Sequence, residues 1–356
     1  MNTSIALTAA AVLISSCVFV WNLAVAPTGS LKQLNADLTE YVRTGAIAAA
    51  PNDHILDLFA ANRQTQKIAK WTIRNLTWKS LGEMKRFGYK QIAFNEMPQP
   101  QRLGIFFIDP NKDPKGIIER YNVWSATSIP SAGIVLVNMN YIRKIIVNSP
   151  DPADVTVGND FFDDEGKLIG LTAEQNRDPP VGAGTTDYVA IVILQNIMIS
   201  TYVVLHEVGH IFEYHTRQAS GITKSFKERE LIADDFFARM VANLPEAPDG
   251  PHLKEMVVTY YMSMGFNSFL SSQLRDQYGV GWMQLYTRDP KHGPLVLKSS
   301  VLAQHPPLAY RLIILIHRIY KEFNRTLSPG APRFFDEYAY ESVISKKIVL
   351  TWSLLP

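Results

Sequence analysis

A single cysteine, Cys17, in a chain of 356 residues excludes an intrachain disulfide and a cysteine-built zinc site. Charge of one sign is also scarce. A net charge of +2, with no arginine-rich run, argues against nucleic acid or another polyanion as partner. The chain has no nucleic-acid module and no internal repeat. No lysine or arginine precedes Lys32, so the start of the chain lacks the basic segment that export signals favour.

What stands at the N-terminus is an uncharged run, Ile5 to Ala26, long enough to cross a bilayer as a helix. Three readings stay open. The run is a membrane anchor, or a signal peptide cleaved after Ala24-Val25-Ala26, or a lipoprotein leader lipidated at Cys17. Each associates the chain with a membrane or exports it, and the expected location is a bacterial cell envelope. Beyond the leader, a hydrophobic share of 47% and a charged share of 19% are those of a globular protein with a large core.

The most informative residues are His206-Glu207-Val208-Gly209-His210, an HExxH pentapeptide. On a helix, residues i and i+4 share a face, so the two imidazoles can take two corners of a zinc tetrahedron. Glu207 then lies close enough to act as general base on a metal-bound water. Hydrolysis needs a third protein ligand and one open position. The extended HExxHxxGxxH pattern would need a glycine at position 213 and a histidine at position 216. Glu213 and Thr216 stand there, and His215 is one residue out of register. A carboxylate from a second helix fits better. Glu230 and Asp234 are i and i+4. Glu230 can bind the metal while Asp234 hydrogen-bonds the far nitrogen of a ligating histidine. Ala233 between them is small enough for two helices to approach closely. Ser225 and Glu228 form a capping box that would start the second helix, and Asn243-Leu244-Pro245 would end it.

HExxH followed by ExxAD resembles the gluzincin zinc peptidases, above all the branch of the CAAX prenyl protease and the bacterial heat-shock membrane protease. His305-Pro306-Pro307-Leu308-Ala309-Tyr310-Arg311 is similar to the HPP-x-x-x-R segment that follows the metal site there, and phage-exclusion peptidases carry a similar trio of segments. The resemblance spans roughly residues 130 to 320. It implies a zinc endopeptidase acting on peptide or protein substrates, with one zinc ion per chain. It also implies His305 and Arg311 as donors to the charge that develops on the substrate oxygen. The competing reading of this pair is a helix start at Pro306-Pro307 and a salt bridge from Arg311 to Asp234 or Asp235. Ser131 to Val137 reads as a strand. The resemblance implies that it borders the cleft and pairs with extended substrate, and an ordinary core strand is the alternative.

The expected fold is α+β and mainly α: a zincin-like peptidase domain with a short sheet beside a long active-site helix. That helix should run from Asp187 to about His215, its apolar stretch Tyr188 to Leu205 buried in the core rather than in a membrane. The expected divisions are a leader at 1–30, a mainly helical region at 31–125, the metallopeptidase core at 126–325 and a tail at 326–356. Helical periodicity marks Leu31 to Ala49, Ile55 to Leu81, Met256 to Leu270 and Leu308 to Phe323, and Gly104 to Ile108 reads as a short strand. Asp160 to Gly166 reads as a solvated turn and Arg177 to Gly184 as a loop before the central helix. His54, His252, His292 and His317 fall outside any assignable site. A second function class stays in view, a non-catalytic binding or scaffold protein on a peptidase fold with structural zinc. An intact Glu207 favours the enzyme, because a structural zinc needs no base and normally has four protein ligands.

Overall fold

The structure, a computed structural model, describes residues 30–45, 75–77, 79–98, 101–141, 185–245, 274, 279, 295–300, 306–326 and 348–353. The apolar leader, most of Ile55 to Leu81, Asp160 to Gly166, Arg177 to Gly184, Met256 to Leu270 and His305 lie outside these residues. The fold is mixed α and β, mainly helical, with a small four-stranded sheet.

Helix α1 (Leu31–Thr44) starts where the Ser30 side chain accepts from the Gln33 amide, and stops at Gly45, whose φ of 67° is left-handed. Its apolar stripe, Leu34, Leu38 and Tyr41, packs on Phe106, Ile108, Ile134 and Leu136. The Tyr41 hydroxyl donates to Asp113, whose carboxylate also accepts from the amides of Ile117 and Ile118. That aspartate therefore ties α1 to the next short helix.

Four strands follow: β1 (Gln91–Phe94), β2 (Arg102–Ile108), β3 (Ala126–Ile129) and β4 (Ile134–Asn138), with the one-turn helix α2 (Ile117–Arg120) before β3. Their order is β1-β2-β4-β3. The first three in that order are parallel and β3 is antiparallel. β2 and β4 are apolar runs buried along almost their whole length, as interior parallel strands are.

The expected strand at Ser131 to Val137 is displaced. Pro130 to Ala132 forms a tight turn, Gly133 takes a φ of 64°, and the strand begins at Ile134. Tyr89 packs directly over Gly133, where a Cβ would sit 2.6 Å from the tyrosine hydroxyl. β4 is hydrogen-bonded on both sides, so it has no free edge to offer a substrate. The strand at the rim beside β4 is β3, four residues (Ala-Thr-Ser-Ile) too short and too polar to announce themselves, and β1 forms the opposite rim.

Helix α3 (Thr185–Ser220) runs unbroken through the HExxH pentapeptide, and lies against β3, β4 and the turn between them. Gly221 ends it with a φ of 67°. Ser225 and Glu228 form the expected capping box, starting α4 (Phe226–Ala242), and Asn243 caps its far end. β5 (Leu295–Ser300), α5 (Leu308–Thr326) and β6 (Ile348–Ser353) complete the described chain. β5 and β6 pair in parallel, which places a strand inside the stretch 326–356, and the four-stranded sheet joins residues on both sides of position 125. α4 packs against both α3 and α5. Among the described residues no helix is long and apolar enough to cross a membrane.

The crossing of α3 and α4 is tight at one point. A Cβ added at Gly209 would lie 2.8 Å from both the Cα and the carbonyl oxygen of Ala233. Alanine in place of glycine gains about 1 kcal/mol of helix propensity. Overpacking against backbone costs roughly 1–3 kcal/mol. The clash wins, so Gly209→Ala should lower the denaturant midpoint at unchanged m-value. A midpoint that stays put or rises would mean that the helices separate freely there.

Candidate metal centre

The metal-binding candidates stand on two facing helices. His206 and His210 occupy successive turns of α3, and Glu230 faces them from α4. His206 Nε2 is 3.1 Å from His210 Nε2 and 3.2 Å from Glu230 Oε2, while His210 Nε2 is 3.3 Å from Glu230 Oε1. A tetrahedral zinc with bonds of about 2.0–2.1 Å has edges of about 3.3 Å between ligand atoms. The three side chains are thus spaced as one small cation would space them. His206, His210 and Glu230 are the three-residue group of possible ligands among the described residues.

Asp234 meets the other side of His206, its Oδ1 lying 2.9 Å from Nδ1. That contact fixes the tautomer that leaves Nε2 facing His210 and Glu230. Tyr202, one helical turn before His206, donates to the same Oδ1 at 2.7 Å. Arg311 on α5 closes the cluster from the third helix. Its Nε and Nη2 reach Asp234 at 2.9 and 2.8 Å, and Nη1 lies 3.1 Å from Glu230 Oε2. Arg311 is therefore salt-bridged to Asp234, and to Glu230 as well. Asp235 points elsewhere, toward Arg239 and Arg318. The expected helix start after Pro306-Pro307 is present, with Arg311 N donating to Pro307 O.

This cluster is nearly sealed: Asp234 is 1% exposed, Arg311 3% and Glu230 6%. Burial would raise the Glu230 carboxyl, but His210 and Arg311 pull it well below the usual range. Asp234 follows the same pattern, burial being outweighed by Arg311 and then His206. Burial foremost holds the Tyr202 hydroxyl well above its ordinary value, so it serves as a neutral donor. Burial and Arg311 both oppose a proton on His206, yet Asp234 and Glu230 outweigh them and raise it to about 9.

A proton on His206 and a metal at Nε2 exclude each other, which gives a pH dependence with a definite sign. The folded pKa, about 9, lies above the ordinary 6.5. In the metal-free chain the stabilisation from this proton is full below the unfolded value and is lost as pH rises through the folded one. Zinc affinity should move the opposite way, rising with pH across that interval with proton release, as calorimetry in buffers of different ionisation heat would measure. Affinity that is flat over the interval would remove Nε2 of His206 from the ligand set.

Glu207 is turned toward the sheet, where its Oε2 accepts from the Ser128 amide of β3 at 2.8 Å. His215 is remote from the ligand group. It stacks on Phe87 and its Nε2 lies 3.1 Å from the Tyr89 hydroxyl. Glu228 is exposed and tied to Ser225. Two contributors were not foreseen from sequence. Tyr202 has a signal in hindsight, because it lies at i−4 from His206 on the same helical stripe. Ser128 has none, because its part is played by a backbone amide. No family model matches this chain, and no curated protein and no solved structure matches it.

Proposed function

We propose that the chain is a zinc-dependent endopeptidase of the gluzincin type on a zincin-like fold, membrane-associated through Ile5 to Ala26. The observation that carries this reading is the convergence of His206, His210 and Glu230, with Asp234 behind His206. His206, His210 and Glu230 would hold the metal. When bound, zinc polarises a carbonyl and acidifies a water, supplying a nucleophile near neutral pH. Three protein donors rather than four also favour catalysis over a purely structural metal.

The chain's own groups supply the rest. Asp234 holds the Nδ1 proton of His206, which makes Nε2 the nitrogen that would face a metal once its own proton is released. Arg311 acts as a positioning residue. Its guanidinium is engaged with Asp234, Glu230 and Tyr202, and holds two buried carboxylates ionised where burial alone would protonate them. Of the two oxyanion donors that the resemblance implies, Arg311 is thus occupied within the cluster, and His305 lies outside the described residues. Glu207 takes the proton from the attacking water on its carboxylate and delivers it to the departing amine nitrogen.

The test is chelation of the full-length protein. Casein cleavage should disappear with chelator and return with zinc, while the far-ultraviolet circular dichroism is unchanged. Loss of the helical signal together with metal would favour the scaffold reading, in which zinc serves structure alone. Glu230→Ala should lower bound zinc well below one per chain by atomic spectroscopy. Unchanged zinc content would remove Glu230 from the ligand set.

A further inference from the structure

The bond between Glu207 and Ser128 joins the metal-site helix to the rim of the sheet, and the strand ladder explains why that amide is available. Asn138 N donates to Ser125 O at 2.9 Å, so these two residues form a hydrogen-bonded pair. Residues along an antiparallel strand alternate between facing the partner and facing away. In the register of β3 on β4, Thr127 and Ile129 therefore face β4, while Ala126 and Ser128 turn outward. The Ser128 N–H is a donor the sheet does not use, and Glu207 Oε2 takes it at 2.8 Å.

The same N–H is what an extended peptide backbone needs to pair with β3, which has no strand partner on that side among the described residues. One amide hydrogen cannot serve a carboxylate and an incoming carbonyl at full strength. We propose that the Ser128 amide is a substrate-released latch, holding the Glu207 carboxylate against β3 until a peptide paired along that strand takes the donor. The inference rests on the peptidase reading and adds a positioning role for β3. A peptide too short to reach Ser128 leaves the carboxylate tied, and one that pairs there frees it. Substrate length then acts on kcat as well as on KM.

Amide hydrogen exchange at Ser128 in the zinc-loaded full chain tests this without turnover. Exchange should be slow in wild type and in Glu207→Gln, whose side-chain oxygen still accepts. It should speed up on the order of tenfold or more in Glu207→Ala, as a lost local bond allows. Adding an extended casein peptide to Glu207→Ala should slow it again. Exchange indifferent to Glu207→Ala, or not restored by the peptide, overturns the proposal. A second arm uses Ser128→Pro, which removes the N–H without costing a ladder bond. It should raise kcat on a tripeptide and raise KM on the casein peptide, shrinking the preference for length. An unchanged kcat ratio between the two peptides overturns the latch. A wild-type chain that cleaves neither peptide would end the peptidase reading, and exchange would still decide whether a peptide backbone competes for Ser128.

Discussion

Arg311→Met should cost on the order of 3–5 kcal/mol of folding stability in the metal-free protein, because it breaks a buried ion pair from one side. The methylene stem is largely replaced, so little of the loss comes from a cavity. What remains is Asp234, 1% exposed, and Glu230, 6% exposed, with their shared cation gone. Tyr202 and the His206 ring still donate to Asp234, and His206 also faces Glu230, but one imidazolium shared between two buried carboxylates leaves them undercompensated. Both carboxyls should drift upward in pKa. For groups held low in the folded state, stability is present above the unfolded pKa and lost as pH falls through the folded one. The variant should thus be most deficient near neutrality and close to wild type in strong acid. Bound zinc should recover part of the loss by supplying positive charge to Glu230, so chemical denaturation is measured with zinc and with chelator. Adding Asp234→Asn to the variant should restore some stability, since it neutralises the stranded charge. A neutral-pH midpoint within the range of surface substitutions would show that water reaches this cluster, and with it the metal would lose its dry support.

Most of the site was readable from local spacing. The HExxH pair, the ExxAD carboxylates and the Ser225 capping box all depend on residues three or four apart on one helix, and the helices formed where that pattern placed them. Ala233 signalled the close crossing, and the missing half of that contact was Gly209, already inside the pentapeptide. Nonlocal pairing was harder. β1 and β3 have four residues each, too few to show a period, and β5 and β6 pair across a long stretch of chain, so no local pattern announces the pairing. The β-branched and aliphatic run marked Ser131 to Val137 as a strand, and only the resemblance implied that it faces substrate, with an ordinary core strand as the alternative. Those same residues are what an interior strand needs, and the polar Ala-Thr-Ser-Ile segment took the rim. Arg311 illustrates the limit of motif reasoning. A spacing that resembles a family motif can place a guanidinium at the candidate site without saying whether its hydrogens face a substrate or the carboxylates beside it.

Glu207→Gln should abolish nearly all peptide hydrolysis while leaving zinc bound. The substitution keeps shape and removes only the ability to carry a proton. The glutamine oxygen can still accept from the Ser128 amide, so the side chain keeps its anchor on β3. His206, His210 and Glu230 are untouched, so zinc by atomic spectroscopy should match wild type. General-base catalysis contributes typically 10²–10⁴-fold, and kcat on casein should fall by about that factor with KM little changed. The three-way comparison separates the readings. A structural-zinc scaffold predicts no activity in either protein and no difference between them. A peptidase whose base is elsewhere predicts full zinc and near-wild-type cleavage in Glu207→Gln. Only a carboxylate that moves the proton predicts an intact fold, a filled site and a dead enzyme, because the variant differs from wild type in charge and acidity and in almost nothing that packing or coordination can sense.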